Sequence, residues 1–178
     1  MKKIFFQLLS IVFIIAISST SCSDSLEDSQ ISNVFNDAIY TSQSEFSPAV
    51  LRINKDVFDT INSNRINNIK TGEFYSINEI KREKDSIQIN LSYSGGCKQH
   101  DFEIIWDGIV YTDEPCHMNL FLIHNSNNDN CEALITETIS INLKELIGDV
   151  VYKDSCAYHI FSTYNSGDIA DVIIESIN

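Results

Sequence analysis

The sequence predicts an all-β protein: an antiparallel β-sandwich, or a partly open barrel, of about seven or eight short strands. Apolar and polar residues alternate with period two over several stretches, the pattern of strands with one buried face. Turn signals recur roughly every ten residues, the spacing of an all-β chain. No long amphipathic helix separates the strands, which argues against a βαβ arrangement.

The clearest stretch, residues 87–106, reads IQINLSYSGGCKQHDFEIIW. Ile87, Ile89, Leu91 and Tyr93 alternate with Gln88, Asn90, Ser92 and Ser94. Gly95-Gly96 supplies the positive φ of a tight turn, which a residue with Cβ resists. Beyond it, His100, Phe102, Ile104 and Trp106 share one face and Asp101, Glu103 and Asp107 the other. The expectation is a β-hairpin with one apolar face. Cys97 lies just past the turn, and His100 opens the second strand on its apolar side.

At the N-terminus, Lys2 and Lys3 precede an apolar run over residues 4–17, broken by Gln7 and Ser10, and then the small residues SSTSC ending at Cys22. This is the layout of an export signal. The run is shorter than the about 20 residues that span a bilayer. A cysteine directly after such a run resembles a bacterial lipoprotein signal, with Ser19 standing where leucine is usual. The resemblance implies a signal peptide over residues 1–21, lipid on Cys22, and an anchor strength of about 0.8 kcal/mol per buried CH₂. Residues 22–45 begin CSDSLEDSQ, acidic and poor in apolar side chains, and read as a flexible tether. The acidic residues behind the cysteine resemble the surface-export signals of Bacteroidota lipoproteins.

The β-sandwich domain is expected over residues 46–178. Residues 50–53 and 57–61 read as short strands, 62–68 as a turn, and 74–81 as a strand that breaks at Lys84-Asp85 before the strand beginning at Ile87. Asp107-Gly108 is another turn signal. Residues 117–124 are apolar on both faces, which suits a central strand. Residues 125–130, NSNNDN, form an Asn-rich loop where αL backbone is tolerated. Residues 133–143 make a strand whose apolar face includes Glu137. Residues 144–147 read as one helical turn ended by Gly148. Residues 157–164 and 169–177 are the last two strands.

Charge narrows the partners. With Lys2 and Lys3 in the export segment, ten basic residues face 25 acidic ones, a formal charge of −15. Contacts to a phosphate backbone need Lys and Arg clusters, so no nucleic-acid partner is expected. Electrostatic binding to anionic lipid is disfavoured in the same way. The expected attachment to membrane is through the N-terminal lipid.

Apart from Cys22 the chain has Cys97, Cys116, Cys131 and Cys156. An even number in an exported protein reads as disulfides, with three possible connectivities. The segments YSGGCKQHDF and HNSNNDNCEALITE resemble a family of uncharacterised Bacteroidota lipoproteins with a YSGGC-x-x-H-x-F motif. That resemblance covers about half of the chain and implies a Cys97–Cys131 bridge, leaving Cys116 with Cys156. A loop of about 35 residues closed in this way is worth roughly 3–4 kcal/mol in the chain-entropy model. The family brings no known activity with it.

Several sites can be drawn. Cys97-x-x-His100 is half of a zinc site by spacing, which Cys116, His117, His124 and Cys131 could complete. The oxidising compartment and the unmatched remaining spacings weigh against it, so no metal and no cofactor is expected. His100, His124 and Glu137 each point to the apolar side of a strand. A buried carboxylate needs a partner, and a histidine supplies one; in a cleft such a pair does acid–base work. The loop 125–130 with Glu132 offers oxygen ligands for calcium but lacks the EF-hand spacing. No G-x-S-x-G motif and no phosphate-cradling glycine loop occurs. The favoured expectation is therefore a lipid-anchored binding or accessory module of the outer membrane. Its partner would be an envelope protein or a glycan, the latter held by exposed aromatics among Tyr75, Tyr111, Tyr158 and Tyr164. The alternatives are a hydrolase working through the His/Glu set and a purely structural or inhibitor-like envelope protein.

Overall fold

The computed structural model describes residues 46–177. The expected signal peptide, the lipid expected on Cys22 and the tether expected over residues 22–45 lie outside the described residues. Two sheets face each other. One has the order β1-β7-β4-β3 and the other β2-β5-β6-β8-β9. The strands are β1 (Ser47–Pro48), β2 (Val50–Ile53), β3 (Ser76–Glu83), β4 (Ser86–Gly95), β5 (Asp101–Trp106), β6 (His117–Asn125), β7 (Ala133–Asn142), β8 (Ala157–Ser162) and β9 (Val172–Ile174). The helices are α1 (Lys55–Ile66), α2 (Leu143–Ile147) and α3 (Tyr152–Ser155).

The all-β sandwich is as expected, but the sheets are mixed. β1 runs parallel to β7, β2 to β5 and β6 to β8. Parallel neighbours need crossover connections rather than tight turns, and no local sequence signal distinguishes the two directions.

The core lies between the sheets. Ile87, Ile89, Leu91 and Tyr93 of β4 and Ile139 and Ile141 of β7 meet Ile104, Met118, Leu120, Leu122, Tyr158 and Ile160 of the opposite sheet. At about 25 cal/mol per Å² of apolar surface, each such side chain contributes about 1.5–3 kcal/mol. The outer face of the four-stranded sheet carries a polar ladder. Asn90 Nδ2 donates to Thr138 Oγ1 at 2.9 Å, and the hydroxyls of Ser92 and Thr136 lie 2.8 Å apart. The outer face of the five-stranded sheet is apolar instead. Ile105, Phe121 and Phe161 pack there under Phe58 and Ile61 of α1. That cover explains why β6 is apolar on both faces.

Two expectations are corrected. Residues 57–61 are not a strand but belong to α1. Val57, Thr60 and Ile61 are β-branched and suggest extended chain. The helix wins because Asn54 caps it, its Oδ1 accepting from Val57 N at 3.1 Å, and because Phe58, Ile61 and Arg65 fall on one buried face. Arg65, 1% exposed, then pins the last turn. Its guanidinium donates to the carbonyls of Ser162, Gly167 and Ile169 and pairs with Asp171 at 2.9 Å.

The second correction concerns residues 87–106, which form no hairpin. β4 and β5 lie in different sheets. Both strands turn the same kind of face to the core, and alternation cannot separate partners in a ladder from partners across the sandwich. Gly95-Gly96 serves a corner between the sheets. Gly96 has φ +112°, and a Cβ at Gly95 would stand 2.6 Å from the His100 ring. The glycine makes room for a histidine.

Candidate functional site

The corner after β4, the loop after β6 and the segment at Phe74 come together at one end of the sandwich, and there His100 and His124 meet. Phe102 of β5 pairs with His124 of β6, and His100 lies two residues before Phe102, so both imidazoles enter the same inner face. His100 Nδ1 lies 2.8 Å from His124 Nε2. Beyond them, His100 Nε2 is 3.3 Å from Asp129 Oδ2, and His124 Nδ1 is 3.3 Å from the carbonyl of Phe74. Tyr93 stacks on His100 at 4.5 Å and Phe102 on His124 at 4.6 Å. The imidazoles are 6% and 1% exposed.

The chain of contacts has two acceptors at its ends and two imidazoles between them, so three gaps need three N–H groups. Each neutral imidazole supplies one N–H and one acceptor nitrogen. His124 is held neutral: burial, followed by the neighbouring His100, pushes its imidazole down to about 4. Its Nδ1–H donates to the Phe74 carbonyl, and its Nε2 accepts from His100 Nδ1–H.

Asp129 is held by the backbone. Its Oδ1 accepts from Cys131 N at 2.9 Å, and its Oδ2 from Cys97 N at 2.8 Å and Lys98 N at 2.9 Å. The Cys131 N–H above all, then those of Lys98 and Cys97 and the His100 ring, hold this carboxyl well below the usual range. Its side chain has no exposed area. Asp129 is the residue of this site that the sequence reading missed. It was one polar residue in an Asn-rich loop, and only its pairing across to the turn after β4 reveals its role.

Glu137 is not part of the imidazole chain. Its Oε1 accepts from the Tyr93 hydroxyl at 3.0 Å, and Tyr93 stands between it and His100. Burial, and then the Glu137 carboxylate, raise the Tyr93 phenol.

The cysteines are oxidised in two bridges, Cys97–Cys131 with Cα atoms 5.8 Å apart and Cys116–Cys156 at 4.8 Å. Their sulfurs are not thiolate ligands, so the zinc set drawn through Cys97, Cys116 and Cys131 is not assembled. In the loop 125–130 the carbonyls of Asn127 and Asn128 converge on the ammonium of Lys98, at 2.9 and 2.8 Å. The cation that organises this loop is a side chain, and the Asp129 carboxylate is already engaged.

Around this sealed cluster the surface is indented. A cleft of about 430 Å³ is lined by Glu73, Phe74, Ser94, Asn128 and Glu132 among others, with His124 at its floor. Beside it Phe74 is 57% exposed and meets Tyr164 edge-on at 5.4 Å, while Lys70 Nζ lies 4.0 Å over the Tyr164 ring. Of the four tyrosines considered for glycan contact, Tyr75 and Tyr158 are core residues, their hydroxyls bonded to the carbonyls of Leu122 and Lys153. Tyr111 and Tyr164 are half-buried at opposite ends of β6. The exposed aromatic at the loop end is Phe74.

No protein-family model matches the chain, and no curated protein matches it. Solved structures do. A NigD-like immunity protein from Bacteroides caccae aligns at TM-score 0.46 and 18% identity, over 75% of this chain and 60% of its own. A putative toxin-related protein from Parabacteroides distasonis aligns at TM-score 0.46 and 14% identity, over 74% and 62%. A DUF1344 protein of unknown function from Bacteroides vulgatus aligns at TM-score 0.44 and 14% identity, over 65% and 49%. The chain thus spans about three fifths of the length of the first of these.

Proposed function

We propose that this chain is a lipid-anchored, non-catalytic binding module of the bacterial outer membrane. It would recognise an envelope protein or glycan with the loop end of its sandwich. The observation that carries this reading is the state of the histidine pair. A general acid or base must reach its substrate's proton within hydrogen-bond distance. At His100 and His124 all four ring nitrogens are engaged and both rings are closed off from solvent. The pair braces the corner, the Asn-rich loop and the backbone at Phe74, and so holds Phe74, Tyr164 and the cleft in place above it. A rigid rim with a large exposed aromatic is what recognition uses. The export-like N-terminus and its Cys22 support the anchor.

The test has two arms on the native protein. Mass spectrometry of the purified chain should find it beginning at an acylated Cys22 with both bridges formed. A photoreactive side chain at position 74 in intact cells should then cross-link to a discrete partner, and one at exposed Lys81 should not. An unprocessed chain without acyl groups ends the anchored reading. Equal labelling from both positions ends the assignment of the binding face.

A further inference from the structure

The second histidine pair lies on the opposite side of the five-stranded sheet, under none of the groups just described. His117 opens β6 and His159 lies in β8, and the register places Asn119 directly across from His159. Residues 117, 119 and 159 therefore share the outer face of two adjacent parallel strands. The two imidazoles stack at 4.3 Å with 12° between their planes, and Tyr111 stacks on the far side of His117 at 5.1 Å. The Cys116–Cys156 bridge and the Ala157 N to Cys116 O hydrogen bond of 2.9 Å fix the register beside the pair.

These rings are not engaged as the inner ones are. His117 Nδ1 faces Asp113 Oδ1 and the Pro115 carbonyl, each at 3.4 Å. Nε2 has no hydrogen-bond partner among the described residues, the arrangement of a metal-ligating histidine whose other ring nitrogen faces a carboxylate. The His159 ring makes no hydrogen bond among the described residues, although its backbone is paired in the sheet. Burial, with His117 next, lowers its affinity for a proton. Asn119 Oδ1 is buried with no hydrogen-bond partner. An orphaned amide oxygen on the same sheet face as two imidazoles with unengaged ring nitrogens is a donor set that lacks its acceptor.

We propose that His117 and His159 bind a borderline divalent transition-metal ion, Zn2+, Ni2+ or Cu2+, with Asn119 Oδ1 as a third donor and water completing the shell. Imidazole nitrogens suit these ions, and hard cations such as Ca2+ prefer all-oxygen sites. In the unliganded arrangement the ring planes run side by side. Closing on an ion takes a rotation of the His159 ring, which no hydrogen bond opposes. Asp113 and Glu175 act electrostatically on His159. Their charge, with that of the strongly acidic chain, favours the arrival of a cation. The site does not depend on the binding function proposed above.

Calorimetric titration of the untagged mature protein in detergent, with disulfides intact, tests this. Zn2+ and Ni2+ should bind one per chain, and His117→Gln and His159→Gln should each abolish that isotherm with unchanged circular dichroism. Asp113→Asn should weaken it about ten-fold through the orientation of His117. Substoichiometric Cu2+ should broaden the His117 and His159 ring proton signals and spare those of His100 and His124. The proposal fails if wild type shows no saturable isotherm, if both Gln variants bind like wild type, or if Ca2+ gives the same isotherm. Should a Gln variant misfold, the Cu2+ broadening pattern in wild type decides alone.

Discussion

The two histidine pairs are built alike and end in opposite states. Each joins neighbouring segments of the five-stranded sheet and each lies beside a disulfide. His100 and His124 face inward, where every ring nitrogen has a partner and the rings are sealed between Tyr93, Phe102 and Tyr75. His117 and His159 face outward and stack with nitrogens left over. Side-chain direction decides the difference. Inside a core an unpaired imidazole nitrogen costs about 1–3 kcal/mol, so the inner pair recruits a carboxylate and a carbonyl. Near the surface water meets that demand, and the rings remain available to a ligand. The inner pair is structure and the outer pair is opportunity.

The contrast can be broken most strongly at the inner bridge. Replacing Cys97 and Cys131 together by serine removes a cross-link spanning 34 residues. The loss should be about 4 kcal/mol in urea unfolding, with the imidazole chain loosened. An unchanged urea midpoint would mean that the Asp129 contacts hold the corner without the bridge.

His100→Ala leaves the Asp129 carboxylate and His124 Nε2 facing a void. Thermal unfolding should report about 2–3 kcal/mol of destabilisation, as when buried polar groups lose their hydrogen-bond partner. A change under 1 kcal/mol would show that water replaces the ring, at odds with a sealed pair.

Acid should expose the same asymmetry. The His124 imidazole falls from 6.5 in the unfolded chain to about 4 when folded. As the pH drops through 6.5 the unfolded chain takes up the proton first, so stability is full above 6.5 and declines down to about 4. The loss amounts to about 3 kcal/mol. Urea midpoints at pH 7, 5.5 and 4.5 should follow this slope in wild type and flatten in His124→Asn. Equal slopes in the two proteins would remove His124 as the cause.

Gly95→Ala drives a methyl against the His100 ring and should cost about 2 kcal/mol. A double-mutant cycle with His100→Ala should cancel most of that cost. Additive losses would mean that the backbone, not the ring, requires glycine. The smallest effect belongs to the outer pair. His117→Ala should change stability by no more than about 0.5 kcal/mol, and a larger loss would make that stack structural too.

Much of this architecture is legible in the chain, with instructive gaps. The β4 alternation, the double-sided apolar run of β6, and the helical turn ended by Gly148 follow from local periodicity and turn chemistry. The inward direction of His100 and His124 follows from strand parity. The helix over Lys55–Ile66 was hidden because β-branched residues mask the three- and four-residue spacing of Phe58, Ile61 and Arg65. Glu137 has the parity of an inward residue, but its reach is set by Tyr93. Asp129 had no periodic pattern to betray it.

What the amino-acid order determined by itself is everything that depends on neighbours a few residues apart: which faces are apolar, where the chain turns, and which side chains point in. The tertiary structure alone decided which strands share a sheet, which way neighbours run, and which distant groups touch. Period two defines a face and not a partner. The placement of β4 and β5 in separate sheets and the parallel β6–β8 pairing that sets His159 beside His117 come from long-range packing, where many weak apolar contacts outvote any local signal.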